Sequence, residues 1–507
     1  MTVRRLIVPL FKGTNFRGTR KLSVEGLHDV LRRQAERALR EKAFKGENAE
    51  TLLLVAPDSG ATSAVLLGLG TEKECSLERL RHAFGSLARQ LRKADVGQAV
   101  LCLATPQLRS RLSKVGWKVA GEAVAVGWAL GAYSYDVYKT ARQKNRSRRT
   151  LTLTTREAPK EFTAGLKTGE ILAQAVNFGR DLSNTPANHL YPEKLAAEAR
   201  KLARDCALSV RVLKKKDLER ERMGALLGVA QGSARPPCMV VLEYRPERKR
   251  VASGQKGAKG AKGFRKLPTL ALVGKAITFD AGGLSIKPAR GMEEMKFDMA
   301  GGAAVLGAMK AIARLAPRLN VVAAVPSTEN VIGDSAMRPG DIIRSASGKT
   351  IEIINTDAEG RLILADALQY VRRFQPDFIL DFATLTGACL VALGTRVSGM
   401  VTNHQKLGRQ VFDAGERSGE RVWQLPLYEE FLEATKSHVA DLKNSAGRYG
   451  GAITAGAFLS YFVGDIPWCH LDIAGTAWAQ RASGCFEQGA TGVGTRLAVE
   501  LALSLSG

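Results

Sequence analysis

The sequence lacks any hydrophobic run long enough to cross a membrane. The longest nearly uncharged stretch with helix potential, Ala123 to Tyr135, falls well short of the roughly 20 apolar residues that a membrane-spanning helix needs. Hydrophobic residues make up 45% of the chain and charged residues 24%, close to the averages for globular proteins. The composition therefore predicts a soluble protein with no membrane partner, and it excludes the disordered class.

Cysteine and histidine are both scarce. The seven cysteines show no Cys-x-x-Cys pair and no metal-finger spacing, which predicts a reducing compartment rather than a disulfide framework. We therefore expect a cytoplasmic protein. An organellar location stays open as the alternative, because the first 24 residues carry several Arg and Lys and no acid, as a transit peptide would.

The positive charge is confined to one part of the chain. Residues 1–267 contain 52 Lys and Arg against 25 Asp and Glu, a net charge of +27, whereas residues 268–507 contain 23 against 24. Such a basic half favours attraction to nucleic acid or another anionic surface, but a solvated basic surface explains it equally. We find no helix-turn-helix or zinc-finger motif, so nucleic-acid binding is kept as an additional, alternative role.

Strand-like and helix-like patterns alternate along the chain, which is long enough to need two cores. Ser76 to Lys93 repeats apolar residues at helical spacing, between the strand-like runs Leu52 to Ala56 and Ala99 to Ala104. Alternation of this kind predicts an α/β fold with two domains, each a mostly parallel or mixed sheet flanked by helices.

Polar, basic breaks set the predicted domain boundaries. We predict a basic N-terminal α/β domain over 1–165, a linker helix region over 166–185 and a C-terminal α/β domain over 186–507. Within the last, Gly, Lys and Ala alternate over 251–266, a composition that cannot bury enough surface to order itself and that predicts a mobile loop.

Seven charged residues lie beside apolar runs of the C-terminal half. Singly, each has an ordinary explanation, since Asp357 and Asp298 could cap the helices that follow them. Together, four carboxylates and one amine are about the right inventory for two divalent metals a few Å apart, and hard or borderline cations suit such ligands. A ligating lysine would need a neutral amine, so its pKa would have to fall. The seven residues are Lys275, Asp280, Lys287, Asp298, Asp357, Glu359 and Arg361.

Two segments contain these charged residues as motifs: Asn355 to Leu362 reads N-T-D-A-E-G-R-L, and Val273 to Pro288 reads V-G-K-A-I-T-F-D-A-G-G-L-S-I-K-P. In them the chain resembles the leucyl aminopeptidase family, the hexameric two-metal cytosolic aminopeptidases, whose motifs are N-T-D-A-E-G-R-L, matched in all eight positions, and V-G-K-x-I-T-F-D-x-G-G-x-S-I-K-P. A weaker match is His470 to Gly475. The domain 186–507 is accordingly expected to be a metallopeptidase domain.

The resemblance implies a role for each motif residue. One metal would be held by Lys275, Asp280, Asp298 and Glu359, and the other by Asp280, Asp357 and Glu359. Zinc, manganese, cobalt and magnesium all remain open as the metals. The catalytic residues would be Lys287, facing the scissile carbonyl, and Arg361, holding a bicarbonate ion that acts as the base. The substrate-lining positions are Met295, Thr384, Leu385, Gly387, Ala474 and Ala477.

By the same resemblance, the expected activity is metal-dependent release of N-terminal residues from peptides, with leucine and other apolar residues preferred. A small residue at Ala477 should widen the pocket, so the preference should not be exclusive. A homohexamer is expected from the resemblance alone. The alternative within the enzyme class is a dipeptidase that prefers Cys-Gly.

Overall fold

The computed structural model describes residues 4–14, 29–55, 62–103, 105–140, 151–156, 158–246 and 267–506. The predicted mobile segment 251–266 lies outside these residues, and so does 142–149, one of the polar, basic breaks used to set the domain boundaries. The chain forms two compact units. The first comprises Met1–Gln174 and Gln480–Gln488, and the second Ala175–Ala479 and Gly489–Gly507. The division after Gln174 falls inside the predicted linker helix region, 166–185. Residues 480–488 cluster with the first unit, whereas the sequence analysis assigned all of 186–507 to one domain.

The first unit contains one five-stranded mixed sheet in the order β2, β3, β1, β4, β5. The β2–β3 pair is antiparallel and the other pairs are parallel. The strands are β1 (Arg4–Leu10), β2 (Thr51–Val55), β3 (Thr62–Gly68), β4 (Gln98–Cys102) and β5 (Thr152–Arg156). The helices are α1 (Asp29–Arg40), α2 (Leu77–Lys93), α3 (Pro106–Val115), α4 (Trp117–Gly131) and α5 (Lys160–Asn184), the last of which contains the division point.

Both faces of this sheet are covered, as the alternation of side chains along β1 shows. Ile7 packs in a cluster with Phe84 of α2, whereas its neighbour Val8 packs in a separate cluster with Leu31 of α1. The helices therefore bury an apolar layer on each side of the sheet.

The second unit contains a nine-stranded mixed sheet in the order β15, β14, β17, β13, β8, β10, β7, β6, with β9 paired to β10. Its strands are β6 (Ser209–Lys214), β7 (Cys238–Tyr244), β8 (Thr269–Gly274), β9 (Ala276–Asp280), β10 (Asn320–Asn330), β13 (Phe378–Ala383), β14 (Ser398–Thr402), β15 (Val422–Gln424) and β17 (Trp468–Asp472). The short strands of two small sheets are β11 (Ile342–Arg344), β12 (Thr350–Glu352), β16 (Leu442–Lys443), β18 (Trp478–Ala479) and β19 (Gly489–Ala490).

Helices cover both faces of the large sheet. Ala324 of β10 belongs to the main apolar cluster, whereas the next residue, Val325, approaches Gly302 on the other face. The helices of this unit are α6 (Pro192–Cys206), α7 (Lys215–Arg220), α8 (Gly224–Ala230), α9 (Ala300–Leu315), α10 (Gly360–Val371), α11 (Gly387–Leu393), α12 (Gln405–Ser418), α13 (Glu429–Glu433), α14 (Gly451–Ser460) and α15 (Thr495–Leu505).

The predicted α/β class with mixed sheets flanked by helices is confirmed. Among the described helices, none is long and apolar enough to cross a membrane.

Candidate metal centre

Two sequence motifs meet at one edge of the large sheet. Strands β8 and β9 both run parallel to β10, so Lys275, directly after β8, and Asp280, at the end of β9, lie on the carboxyl-end side where open α/β sheets bind ligands. Glu359 lies directly before α10. Helix and strand ends thus bring together side chains that are far apart in the sequence.

Hydrogen bonds hold the turn after β9 to the N-T-D-A-E-G-R-L motif. The Thr356 hydroxyl donates to Gly282 O over 2.6 Å and accepts a hydrogen bond from Ser285 N at 2.7 Å. Gly282 has a φ of +85° and Gly283 a φ of +64°, a left-handed conformation that favours glycine. A side chain at Gly282 would also fall 2.9 Å from Asp357 Oδ1, so glycine is required for the close approach of the two motifs.

Lys275 lies at the centre of the buried charges. Its Nζ is 2.8 Å from Asp298 Oδ2 and 2.8 Å from Glu359 Oε1, and it donates to Thr384 O over 2.8 Å. Burial lowers the pKa of Lys275, but the attraction of Asp298 and Glu359 outweighs it, and the net pKa is raised. The amine is therefore an ammonium in this arrangement, and it would have to release a proton to bind a metal.

A second ammonium faces the other carboxylates. Lys287 Nζ lies 2.7 Å from Asp280 Oδ2 and 2.5 Å from Asp357 Oδ1. Burial opposes the charge of Lys287, but Asp280 and the other carboxylates raise its pKa well above the ordinary value. For Asp357, burial and then the repulsion of Asp280 and Glu359 raise the pKa to about 6. Burial likewise raises the pKa of Asp298 well above its usual range.

The carboxylates fit a divalent metal. One oxygen each from Asp280, Asp357 and Glu359 lie within 4.8 Å of one another. Glu359 Oε2 is buried and has no hydrogen-bond partner among the described residues, which leaves it available as a ligand. Asp280 Oδ1, by contrast, accepts from Asn330 Nδ2 at 2.8 Å and from Gly282 N at 2.9 Å, contacts that orient the carboxylate.

Arg361 fits an anion. Its Nη1 donates to Asn444 O over 2.8 Å, and within the described part of the chain its buried Nε has no hydrogen-bond partner. Burial lowers the pKa of Arg361 to about 10, and Glu359 and Asp472 oppose that shift. A buried guanidinium of this kind retains donors for a small oxyanion.

The predicted substrate positions fall in three segments. Thr384 and Leu385 lie in the turn between β13 and α11, and Gly387 is the first residue of α11; the Thr384 hydroxyl donates to Asp298 Oδ1 over 2.7 Å. Met295 lies on a short 3-10 helix, Met292–Phe297, that leads to Asp298.

The third segment carries Ala474 and Ala477 and follows β17. Ala474 N donates to Asp472 Oδ1 over 3.1 Å, and the same oxygen accepts from Leu385 N, so this segment adjoins the turn. The Phe297 and Trp478 rings stack with centroids 5.2 Å apart, which brings the segment of Met295 beside that of Ala477.

Sequence reasoning missed the polar residues that hold these segments together. Asn444 accepts from Ile354 N at 2.8 Å and donates to Asn355 O over 2.7 Å, which fixes the start of the motif. Asn330, at the end of β10, donates to Asp280 and, over 3.1 Å, to Thr356 O. The only sequence signal was for Asp472, which lies in the weaker family match His470 to Gly475.

Family models match most of the chain. The catalytic domain of the cytosol aminopeptidase family matches residues 177–499, and the N-terminal domain of that family matches residues 7–142. The chain belongs to the cytosol aminopeptidase family. The predicted family is therefore confirmed, and the catalytic domain is C-terminal.

Individual relatives are similar over nearly the full length. The chain is 44% identical to a probable cytosol aminopeptidase of Syntrophotalea carbinolica, covering 94% of this chain and 92% of that protein. It is 40% identical to one of Alkaliphilus metalliredigens, covering 95% and 94%.

Solved structures share the fold. The bottromycin maturation enzyme BotP in complex with Mn has a TM-score of 0.83 and 31% identity, covering 100% of both chains. A mutant of tomato leucine aminopeptidase has a TM-score of 0.83 and 32% identity, covering 99% of this chain and 94% of that one.

Proposed function

We propose that the chain is a metal-dependent aminopeptidase that releases N-terminal residues from peptides, with leucine and other apolar residues preferred. The observation that carries the proposal is the convergence of Asp280, Asp357 and Glu359 within 4.8 Å, flanked by the buried Lys275 and the partly buried Lys287, in a member of the cytosol aminopeptidase family. A surface acidic cluster would not need buried cations to balance its charge.

The donor set supports two metal positions that share ligands. Lys275, Asp280, Asp298 and Glu359 would hold one divalent ion, and Asp280, Asp357 and Glu359 would hold the other, with zinc, manganese, cobalt and magnesium as the candidates. When bound, two such ions supply Lewis acidity that activates water and polarises the peptide carbonyl. The unpartnered Glu359 Oε2 supports its place in this set.

The chain's own residues supply the rest of the chemistry. Lys287 stays protonated because of its raised pKa, and its ammonium stabilises the negative charge that develops on the carbonyl oxygen. Arg361 would hold a bicarbonate ion, and such an anion would supply a general base beside the metals. The buried Nε of Arg361, with no partner among the described residues, supports an anion there.

The substrate side chain lies among Met295, the turn Thr384–Gly387, and Ala474 and Ala477. Small residues at the last two positions leave room for leucine and for larger apolar side chains, so the preference is broad. Assembly as a homohexamer and a cytoplasmic location remain predictions.

Reconstitution tests the proposal. Protein stripped with a chelator should lose hydrolysis of a leucyl chromogenic substrate, and Zn²⁺, Mn²⁺, Co²⁺ or Mg²⁺ added singly should restore it to different extents. A panel with N-terminal Leu, Met, Phe, Ala and Asp, together with Cys-Gly, then measures the preference. Activity that survives complete metal removal would contradict the proposal.

A further inference from the structure

Asp472 ends β17 beside the turn that carries three predicted substrate positions. Strands β13 and β17 run parallel, and their register places Asp472 opposite Ala383, the last residue of β13. The chain then continues into residues 384–387, which we name the Thr384 turn. Because Asp472 is only 2% exposed, its carboxylate needs partners within the protein.

The carboxylate finds four partners. Oδ1 accepts from Leu385 N at 3.2 Å, from Thr386 N at 3.4 Å and from Ala474 N at 3.1 Å, and Oδ2 accepts from the Thr386 hydroxyl at 2.6 Å. One side chain therefore fixes both the Thr384 turn and the segment that begins at Ala474.

The other side of the turn contacts the candidate metal ligands. Thr384 O accepts from Lys275 Nζ at 2.8 Å, and the Thr384 hydroxyl donates to Asp298 Oδ1 over 2.7 Å. Lys275 and Asp298 are the two residues assigned to one metal position and not to the other. A shift of the turn should therefore disturb that position selectively.

We propose that Asp472 is a positioning residue that, through the Thr384 turn, sets one of the two metal positions and the substrate subsite beside it. The inference rests on the proposed function, because it takes Lys275 and Asp298 as ligands. Asp472 itself is neither one of the proposed metal ligands nor one of the predicted substrate positions. Its effect comes from the placement of its oxygens rather than from its charge.

Two substitutions separate placement from charge. Asp472→Asn keeps the side-chain length, and its single oxygen can still accept from the three backbone N–H groups. Asp472→Glu keeps the charge but moves the carboxylate by one methylene group. If the position of the oxygens matters, Asp472→Asn should retain more metal affinity and turnover than Asp472→Glu. A purely electrostatic role predicts the reverse order.

Calorimetric titration of chelator-stripped protein with Mn²⁺ is the test. We expect two equivalents for the wild type and for Asp472→Asn. In Asp472→Ala and Asp472→Glu, one equivalent should weaken by about 10- to 100-fold while the other is unchanged. Turnover of a leucyl substrate should follow the same order, with a rise in KM from the displaced Ala474 segment.

Asp366 provides a matched control. Its carboxylate on α10 is also buried and accepts from backbone N–H groups, Leu226 N at 2.9 Å and Ala346 N at 2.7 Å, but these do not belong to the Thr384 turn. Asp366→Asn should lower the thermal midpoint and leave both Mn²⁺ affinities as in the wild type.

Three results would overturn the inference. A folded Asp472→Ala variant could bind both Mn²⁺ equivalents with wild-type affinity, or it could bind both of them more weakly. The third is that Asp472→Glu retains more Mn²⁺ affinity and turnover than Asp472→Asn. If the Ala variant does not fold, the order of Asn and Glu decides. Failure of the wild type to bind two equivalents would instead contradict the proposed function, so the two failures are distinguishable.

Discussion

Lys275 Nζ and Glu359 Oε1 lie 2.8 Å apart, although 84 positions separate the two residues in the chain. The contact joins the residue after β8 to the residue before α10 in a fully buried environment. Next to it, a side chain at Gly360 would place its Cβ 2.6 Å from Lys275 Nζ. The first residue of α10 must therefore be small for Lys275 to occupy its place.

Substitution of Gly360 should separate stability from activity. In Gly360→Ala, helix propensity favours the folded state by about 1 kcal/mol, but the added methyl group displaces Lys275 from Glu359. We expect a folded protein with metal affinity and turnover reduced by about 10- to 100-fold. Thermal unfolding together with Mn²⁺ titration checks both effects, and unchanged metal binding would show that Lys275 is not a ligand.

Lys287 should be required for turnover but not for metal binding. Lys287→Ala removes an ammonium proposed to stabilise the developing oxyanion, a loss of about 10²- to 10³-fold in kcat for a single donor. Metal content should stay normal, since the ligand carboxylates remain. Lys310→Ala, which removes an ammonium 4.7 Å from the Phe178 ring, is the control and should keep wild-type kcat. Near-normal turnover by Lys287→Ala would contradict the proposal that Lys287 stabilises the oxyanion.

Asp357 should be required for both metal binding and turnover. Its loss in Asp357→Ala removes one of the three oxygens that converge within 4.8 Å. We expect metal content after dialysis to fall from two toward one per chain, with turnover lost as well. The exposed Asp334 gives a control, because Asp334→Ala should retain both ions. Two tightly held ions in Asp357→Ala would contradict its role.

Local patterns in the sequence were enough to find the main elements. The strand-like runs Leu52 to Ala56 and Ala99 to Ala104 correspond to β2 (Thr51–Val55) and β4 (Gln98–Cys102), and the helical spacing over Ser76 to Lys93 corresponds to α2 (Leu77–Lys93). Of the apolar run Ile351 to Ile354, only the first two residues belong to a strand, since β12 ends at Glu352. Where the apolar run continues into the charged motif, hydrogen bonds to Asn444 replace strand pairing.

Long-range polar contacts could not be read from the sequence. Asp472 and the residues that donate to it from the Thr384 turn are 86 and 87 positions apart, and Asn330 is 50 positions from Asp280. Such pairs leave no periodicity, because each side chain is placed by the register of strands that pair only in the folded sheet. Motif resemblance therefore named the candidate ligands but not the residues that orient them.

A basic N-terminal half makes a separate prediction about nucleic acid. If the net charge of +27 over residues 1–267 serves a polyanion, DNA should bind at low salt, and affinity should fall steeply as salt rises. Fluorescence anisotropy with a labelled duplex at a series of salt concentrations measures the slope. The absence of binding at low salt would leave the charge as a solvated surface.

His470 and Asp381 form a buried ion pair on the large sheet. His470 Nδ1 lies 2.6 Å from Asp381 Oδ1, and Trp468 Nε1 donates to Asp381 Oδ2 over 2.6 Å. Burial lowers the pKa of His470, but the Asp381 carboxylate raises it more, so the net pKa lies above the ordinary value of 6.5. The folded protein therefore binds this proton more tightly than the unfolded chain does.

The sign of the pH dependence follows from that difference. The stabilisation is complete below the unfolded pKa of about 6.5 and is lost as pH rises through the raised folded pKa. The free energy of unfolding of wild type minus that of His470→Gln should therefore shrink as the pH rises above about 6.5 and through the raised pKa of folded His470. Asp381→Asn should remove most of the pH dependence, because it removes the carboxylate that raises the pKa. A difference that stays constant with pH would mean that His470 is neutral in the folded protein and contributes only packing and a neutral hydrogen bond.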